Sequence, residues 1–180
     1  MDLSALLQLF TDEGPKWVRQ QRAEHRSAGR TLSRDEKEHL SHFFEQPVLD
    51  KVRIASVPVI PNPPFYALLF AAGIPIPLDF SQSSGITFDD TILVSDLHPV
   101  SPLEELPLIF HELVHVVQFG LAGVEGFVTR YVAGWAANGF VYERIPLEGQ
   151  AYALAARFSG QPTLHFSVRA EVAALVDGAT

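Results

Sequence analysis

A chain of 180 residues with 47% apolar content can bury one full hydrophobic core, and its lack of cysteine excludes both a disulfide frame and a thiolate metal site. The net charge of −8 is unevenly placed: residues 1–53 hold nine Lys/Arg against nine Asp/Glu, residues 130–180 hold four of each, and residues 54–129 hold eight acids and no base. That middle segment reads as an acidic surface, suited to a dication or a basic substrate segment and hostile to nucleic acid.

The first ten residues lack a basic region, and their apolar stretch is too short for a secretory signal. No run of about 18 apolar residues follows, so the expectation is a chain without a membrane span, cytoplasmic or exported without a conventional signal peptide. Residues 2–10 and about 15–27 are predicted helical, and Ser33 with Glu36 gives a capping-box signal for a helix over about 34–45. His39 and His42 fall three apart on that helix without an obvious third ligand, and read as a solvated face. Residues 48–60 alternate loosely and predict a strand or extended edge. Pro58, Pro61, Pro63 and Pro64 then force an irregular path into a short helix at about 64–72, which Pro75 and Pro77 stop.

Ile86–Ser95 is the clearest hairpin candidate, two β-rich runs around Asp89-Asp90. An exposed strand edge there could pair with an extended peptide backbone. The apolar run Leu106–Phe119 follows, and within it stands His111-Glu112-Leu113-Val114-His115. On a helix, His111 and His115 share a face and can present two imidazoles to one zinc ion, while Glu112 projects about 100° away. A general base needs that offset, because it must reach the water without filling a coordination position.

Val124, Phe127, Val128, Tyr131, Val132 and Trp135 recur at helical steps and predict a core helix over 124–137, ended by Asn138-Gly139. Pro146 suits the first position of a helix over about 146–159, stopped by Gly160 and Pro162, and Val168, Val172, Leu175 and Val176 predict a C-terminal helix. The fold class expected is α+β. Two histidines leave a zinc site one protein ligand short, and Glu125, Glu143, Glu148 and His165 are the candidates downstream. Placement favours Glu148, in the first turn of a helix beside small Ala151, over Glu143 in the preceding turn.

His111 to His115 with Gln118 beyond, then Leu147-Glu148-Gly149-Gln150-Ala151-Tyr152, resembles the gluzincin branch of the zincin-like metallopeptidases. The likeness is greatest to a bacterial domain family of unknown function, with an HELxHVVQ motif, whose members accompany polymorphic toxins and extracellular contractile injection systems. Gly85–Val94 is similar to that family's strand segment, so the resemblance covers about residues 85–158. It implies a helix-rich zincin-like domain over 1–180, with a helical N-terminal part (1–80), a metallopeptidase core (85–158) and a small sheet beside the metal helix.

It also implies Zn2+ held by His111, His115 and Glu148, with Glu112 polarising the water that attacks a peptide or protein substrate. Many gluzincins carry an Asp four residues after the ligand Glu. Tyr152 stands there in this chain, and its hydroxyl would accept an imidazole N–H more weakly. Tyr142, Tyr131 or His165 would supply the oxyanion donor. The alternative to a peptidase is a zinc-binding, catalytically weak interaction module associated with toxins or secretion systems.

Overall fold

Helix α1 (Leu3–His25) opens on Asp2, whose side chain accepts from the Ala5 amide at 2.8 Å. In the computed structural model, which describes residues 2–71, 73, 78–161 and 163–178, this helix runs unbroken through Pro15. The expected break between residues 10 and 15 is absent. Pro15 forfeits one helical hydrogen bond, but Phe10, Gly14, Pro15, Trp17 and Val18 lie on the buried face, and their packing outweighs that loss.

The Ser33–Glu36 capping box forms in both directions, at 3.2 and 2.6 Å, and opens helix α2 (Arg34–Leu40). The helix stops at Leu40, short of the expected 45, and a new helix α3 (Gln46–Lys51) starts with Pro47 in its first turn. Residues 48–51, expected to be extended, are therefore helical, and strand β1 covers only Arg53–Val57. Pro47 pre-sets a helical φ, which overrides the loose alternation that follows it. Helix α4 (Tyr66–Ala71) follows the proline-rich crossing; Pro75, Pro77 and Pro162, expected as helix stops, lie outside the described residues.

The hairpin turns at Asp89-Asp90 as the sequence predicts, joining β2 (Gly85–Phe88) to β3 (Thr91–Ser95), with Asp89 at φ 60°. The sheet order is β1-β3-β2. β3 pairs parallel with β1, Arg53 opposite Thr91, and antiparallel with β2, Phe88 opposite Thr91. The edge strand β2 packs beside helix α5 (Pro102–Ala137).

Helix α5 spans 36 residues and merges two expected helices across a break at Gly123, whose φ of 70° with ψ of 168° is a conformation open to glycine. By length and composition α5 could cross a membrane. Here its apolarity serves the core, for every residue from Ile109 to Phe119 is buried. Before the break, Ile109, Phe110, Leu113, Val114, Val116 and Val117 pack into one cluster with Phe43, Phe158 and Phe166. Phe119, Phe127, Val128, Val132 and Trp135 join a second with Phe10, Trp17 and Phe88. Helices α6 (Pro146–Gly160) and α7 (Val168–Gly178) complete an α+β fold, both packed on α5.

The uneven charge of the sequence resolves into pairing between its parts. Arg22 grips Asp90 through two hydrogen bonds, at 2.7 and 3.0 Å, and Arg26 lies 3.1 Å from the same carboxylate. Arg19 pairs with Glu125, and Arg30 reaches Glu105 at 3.8 Å. Several acids of the middle segment thus face the bases of α1 and the loop after it, so the expected acidic surface is in part neutralised by the N-terminal segment.

Candidate metal centre

His111, His115 and Gln118 fall on one stripe of α5, at successive steps of four and three, and all three are buried. Apolar residues on the other faces sink into the two core clusters, and this stripe meets the first turn of α6. There Pro146 begins the helix and Glu148, also buried, projects onto the two imidazoles.

The three atoms that could ligate a metal form a nearly equilateral triangle. His111 Nε2 and His115 Nε2 lie 3.1 Å apart, and Glu148 Oε2 is 3.3 Å from the first and 3.4 Å from the second. Ligands held at 2.0–2.1 Å around a tetrahedral ion stand about 3.3–3.4 Å from one another, so the triangle fits such an ion with its fourth position left over. Glu148 Oε2 is itself buried and meets no hydrogen-bond donor among the described residues. An orphaned carboxylate oxygen between two imidazole nitrogens is what a metal ion would satisfy. These residues could hold a metal ion.

Charges in the cluster are strongly coupled. Burial by itself would lower the His115 pKa, yet the Glu148 carboxylate, with Glu112 and Gln118 behind it, pushes it up to about 9. Burial would likewise raise the Glu148 carboxyl, but the two imidazoles hold it well below the usual carboxylate range.

Two of the three candidate ligands, His115 and Glu148, are positioned by a hydrogen-bonding neighbour. Gln118 Oε1 lies 2.7 Å from His115 Nδ1, while Gln118 Nε2 donates to the Leu147 carbonyl at 3.0 Å and to Gln150 Oε1 at 3.1 Å. Tyr131, beyond the break in α5, donates to Glu148 Oε1 at 2.8 Å and leaves Oε2 for the imidazoles. Glu112 points the other way, toward β2, where the Thr87 hydroxyl meets its Oε2 at 2.7 Å and its carbonyl at 3.0 Å. Gly85 makes room for this. A Cβ there would stand 2.9 Å from Glu112 Oε1.

A cavity of about 100 Å³ opens beside the triangle, with Glu112, His115, Tyr131, Tyr142 and Glu148 in its lining. Tyr142 sits in the turn before α6, and burial together with the Glu148 carboxylate raises its pKa and keeps the phenol neutral. Tyr152 lies with its ring 4.5 Å from that of His111, half-exposed.

The remaining candidates lie elsewhere. Glu125 pairs with Arg19, Glu143 is exposed, and His165 is exposed and stacks on His42 at 4.0 Å. The sequence offered a signal for Gln118, the one polar side chain a helical step beyond His115, but none for Thr87, whose role depends on strand register. No protein-family model, curated protein or solved structure matches this chain.

Proposed function

We propose that the chain is a zinc metallopeptidase of gluzincin type, with His111, His115 and Glu148 holding the ion and Glu112 as general base. The observation that carries this reading is the separation of carboxylate roles. Glu148 completes the triangle with the imidazoles, whereas Glu112, one residue after His111, is turned out of it and tethered to Thr87 at 2.7 Å at the edge of the same cavity.

Zinc, when bound, lowers the pKa of water toward neutrality and polarises a carbonyl. Glu112 takes the proton of the attacking water and passes it to the departing amine. The Thr87 hydroxyl fixes the direction in which the carboxylate can accept. Tyr131 and Tyr142, neutral phenols that line the cavity and both reach Glu148, are the donors available to the developing oxyanion. The edge strand β2, with Gly85 to Phe88 along the cavity, offers backbone groups to an extended peptide.

Digestion of an unstructured protein tests the reading. Cleavage by the zinc-loaded chain, lost with a chelator and restored by zinc, is the expected result. A loaded chain that leaves the substrate intact would overturn it.

A further inference from the structure

At the sheet edge opposite β2, strand β1 is only partly covered. Arg53, Ala55 and Val57 turn their backbone groups toward β3, the Arg53 amide reaching the Asp90 carbonyl at 3.0 Å and the Val57 carbonyl accepting from the Asp96 amide at 2.9 Å, so Ile54 and Ser56 turn theirs outward. Ile54 exchanges both of its outward hydrogen bonds with Arg30, each at 2.9 Å. Just before Arg30 the chain turns away, with the Ala28 and Gly29 amides bonding back to the His25 carbonyl at 3.2 Å. The amide and carbonyl of Ser56, an exposed residue, are left without a backbone partner among the described residues.

This vacant rung borders a groove of about 550 Å³, within the size range of ligand pockets. Ile54 and Val94 of the sheet and Leu108 and Ile109 of α5 give the groove its apolar surface, and Asp96 and Glu105 add two carboxylates. Neither carboxylate is neutralised. Asp96 meets the Ser56 hydroxyl and no base among the described residues, and Glu105 has only Arg30, at 3.8 Å, whose guanidinium is already held by both oxygens of Glu36 at 2.7 and 2.8 Å. Leu97 and Leu103, next in sequence to Asp96 and Pro102 of the lining, stand 60% and 90% exposed, large apolar side chains left in solvent.

The charge selects the occupant. A nucleic acid or a second copy of this groove would set negative charge against negative charge, whereas a basic peptide complements it. A residue paired with Ser56 points its side chain to the same sheet face as Ser56, Ile54 and Val94, and so do the residues two places to either side of it. An apolar side chain at the pairing position therefore enters the groove, and basic side chains two places away meet the carboxylates. We propose that this groove docks an extended segment of another protein with the pattern basic-x-apolar-x-basic, held by backbone pairing at Ser56 and by charge at Asp96 and Glu105. The proposal does not rest on the peptidase reading, since no residue lining the groove belongs to the metal centre.

Fluorescein-labelled Arg-Gly-Leu-Gly-Arg-amide, titrated into the full chain in the presence of a chelator and read by fluorescence anisotropy, should bind saturably. Replacing Leu by Ser should weaken binding about tenfold or more, and replacing both Arg by Glu should abolish it. N-methylation of the Leu amide, which removes its hydrogen bond to the Ser56 carbonyl, should weaken binding about threefold or more. Asp96→Asn and Glu105→Lys, at two exposed positions, should each weaken it about three- to tenfold.

No saturable binding at millimolar peptide, equal affinity for the Leu and Ser peptides, no loss on N-methylation, or an affinity unaltered by both protein substitutions would overturn the proposal. A chain that binds the peptide but cleaves nothing when loaded with zinc defeats only the peptidase reading. Cleavage by a chain that leaves this peptide unbound defeats only the docking groove.

Discussion

Gln118 fixes the tautomer of His115. The Leu147 carbonyl can only accept, so the Gln118 amide nitrogen must face it, at 3.0 Å, and the amide oxygen must face His115 Nδ1, at 2.7 Å. Nδ1 therefore carries a proton in either charge state of the ring, and loss of the other proton leaves the Nε2 lone pair for a metal ion. One side chain ties α5 to α6, which carries Glu148.

Replacing Gln118 with Leu roughly keeps the volume and removes all three hydrogen bonds. Metal affinity should fall about 10- to 100-fold, measured by competition with a chromophoric chelator. Stability should fall by about 1 kcal/mol, the net worth of hydrogen bonds lost between α5 and α6. An unchanged affinity would show that Gln118 does not orient the ligand.

Thr87→Val removes the hydroxyl that holds Glu112 and alters the packing little. Turnover should drop by about tenfold, the effect of a loosened general base, while zinc affinity stays within about twofold. Steady-state kinetics beside a metal titration check this, and a parallel loss of metal would place Thr87 in the binding of the ion instead.

Tyr131→Phe frees Glu148 Oε1 from its 2.8 Å hydrogen bond. The carboxylate then has two equivalent ways to turn, and zinc affinity should fall by about tenfold. Equilibrium dialysis measures it. An affinity equal to that of the unaltered chain would make this hydroxyl irrelevant to the ligand.

Removing the metal should destabilise the fold, since the buried triangle of His111, His115 and Glu148 is assembled only in the folded chain. At free zinc of 100 times its Kd the expected gain is about 2.7 kcal/mol, read from urea unfolding with and without chelator. Coincident curves would mean that the ion binds the unfolded chain equally well or not at all.

Much of this centre was legible in the sequence because its parts are local. His111, Glu112 and His115 need only helical geometry, the Asp89-Asp90 turn needs only its flanking β-rich runs, and Glu148 follows from where Pro146 starts a helix. What escaped depends on distant partners. Pro15 stays helical because of what α1 packs against, and the acids of residues 54–129 look like a bare surface until Arg19, Arg22, Arg26 and Arg30 fold back on them. Thr87 gains its role only when β2 is laid beside α5.

The central claim is that Glu112 serves the chemistry and not the metal. Glu112→Gln, with zinc content and peptide turnover measured on one preparation, tests it most directly. The expected result is full metal occupancy with turnover reduced on the order of 10²- to 10⁴-fold. A variant that loses its zinc, or that cleaves as fast as the unaltered chain, would contradict it.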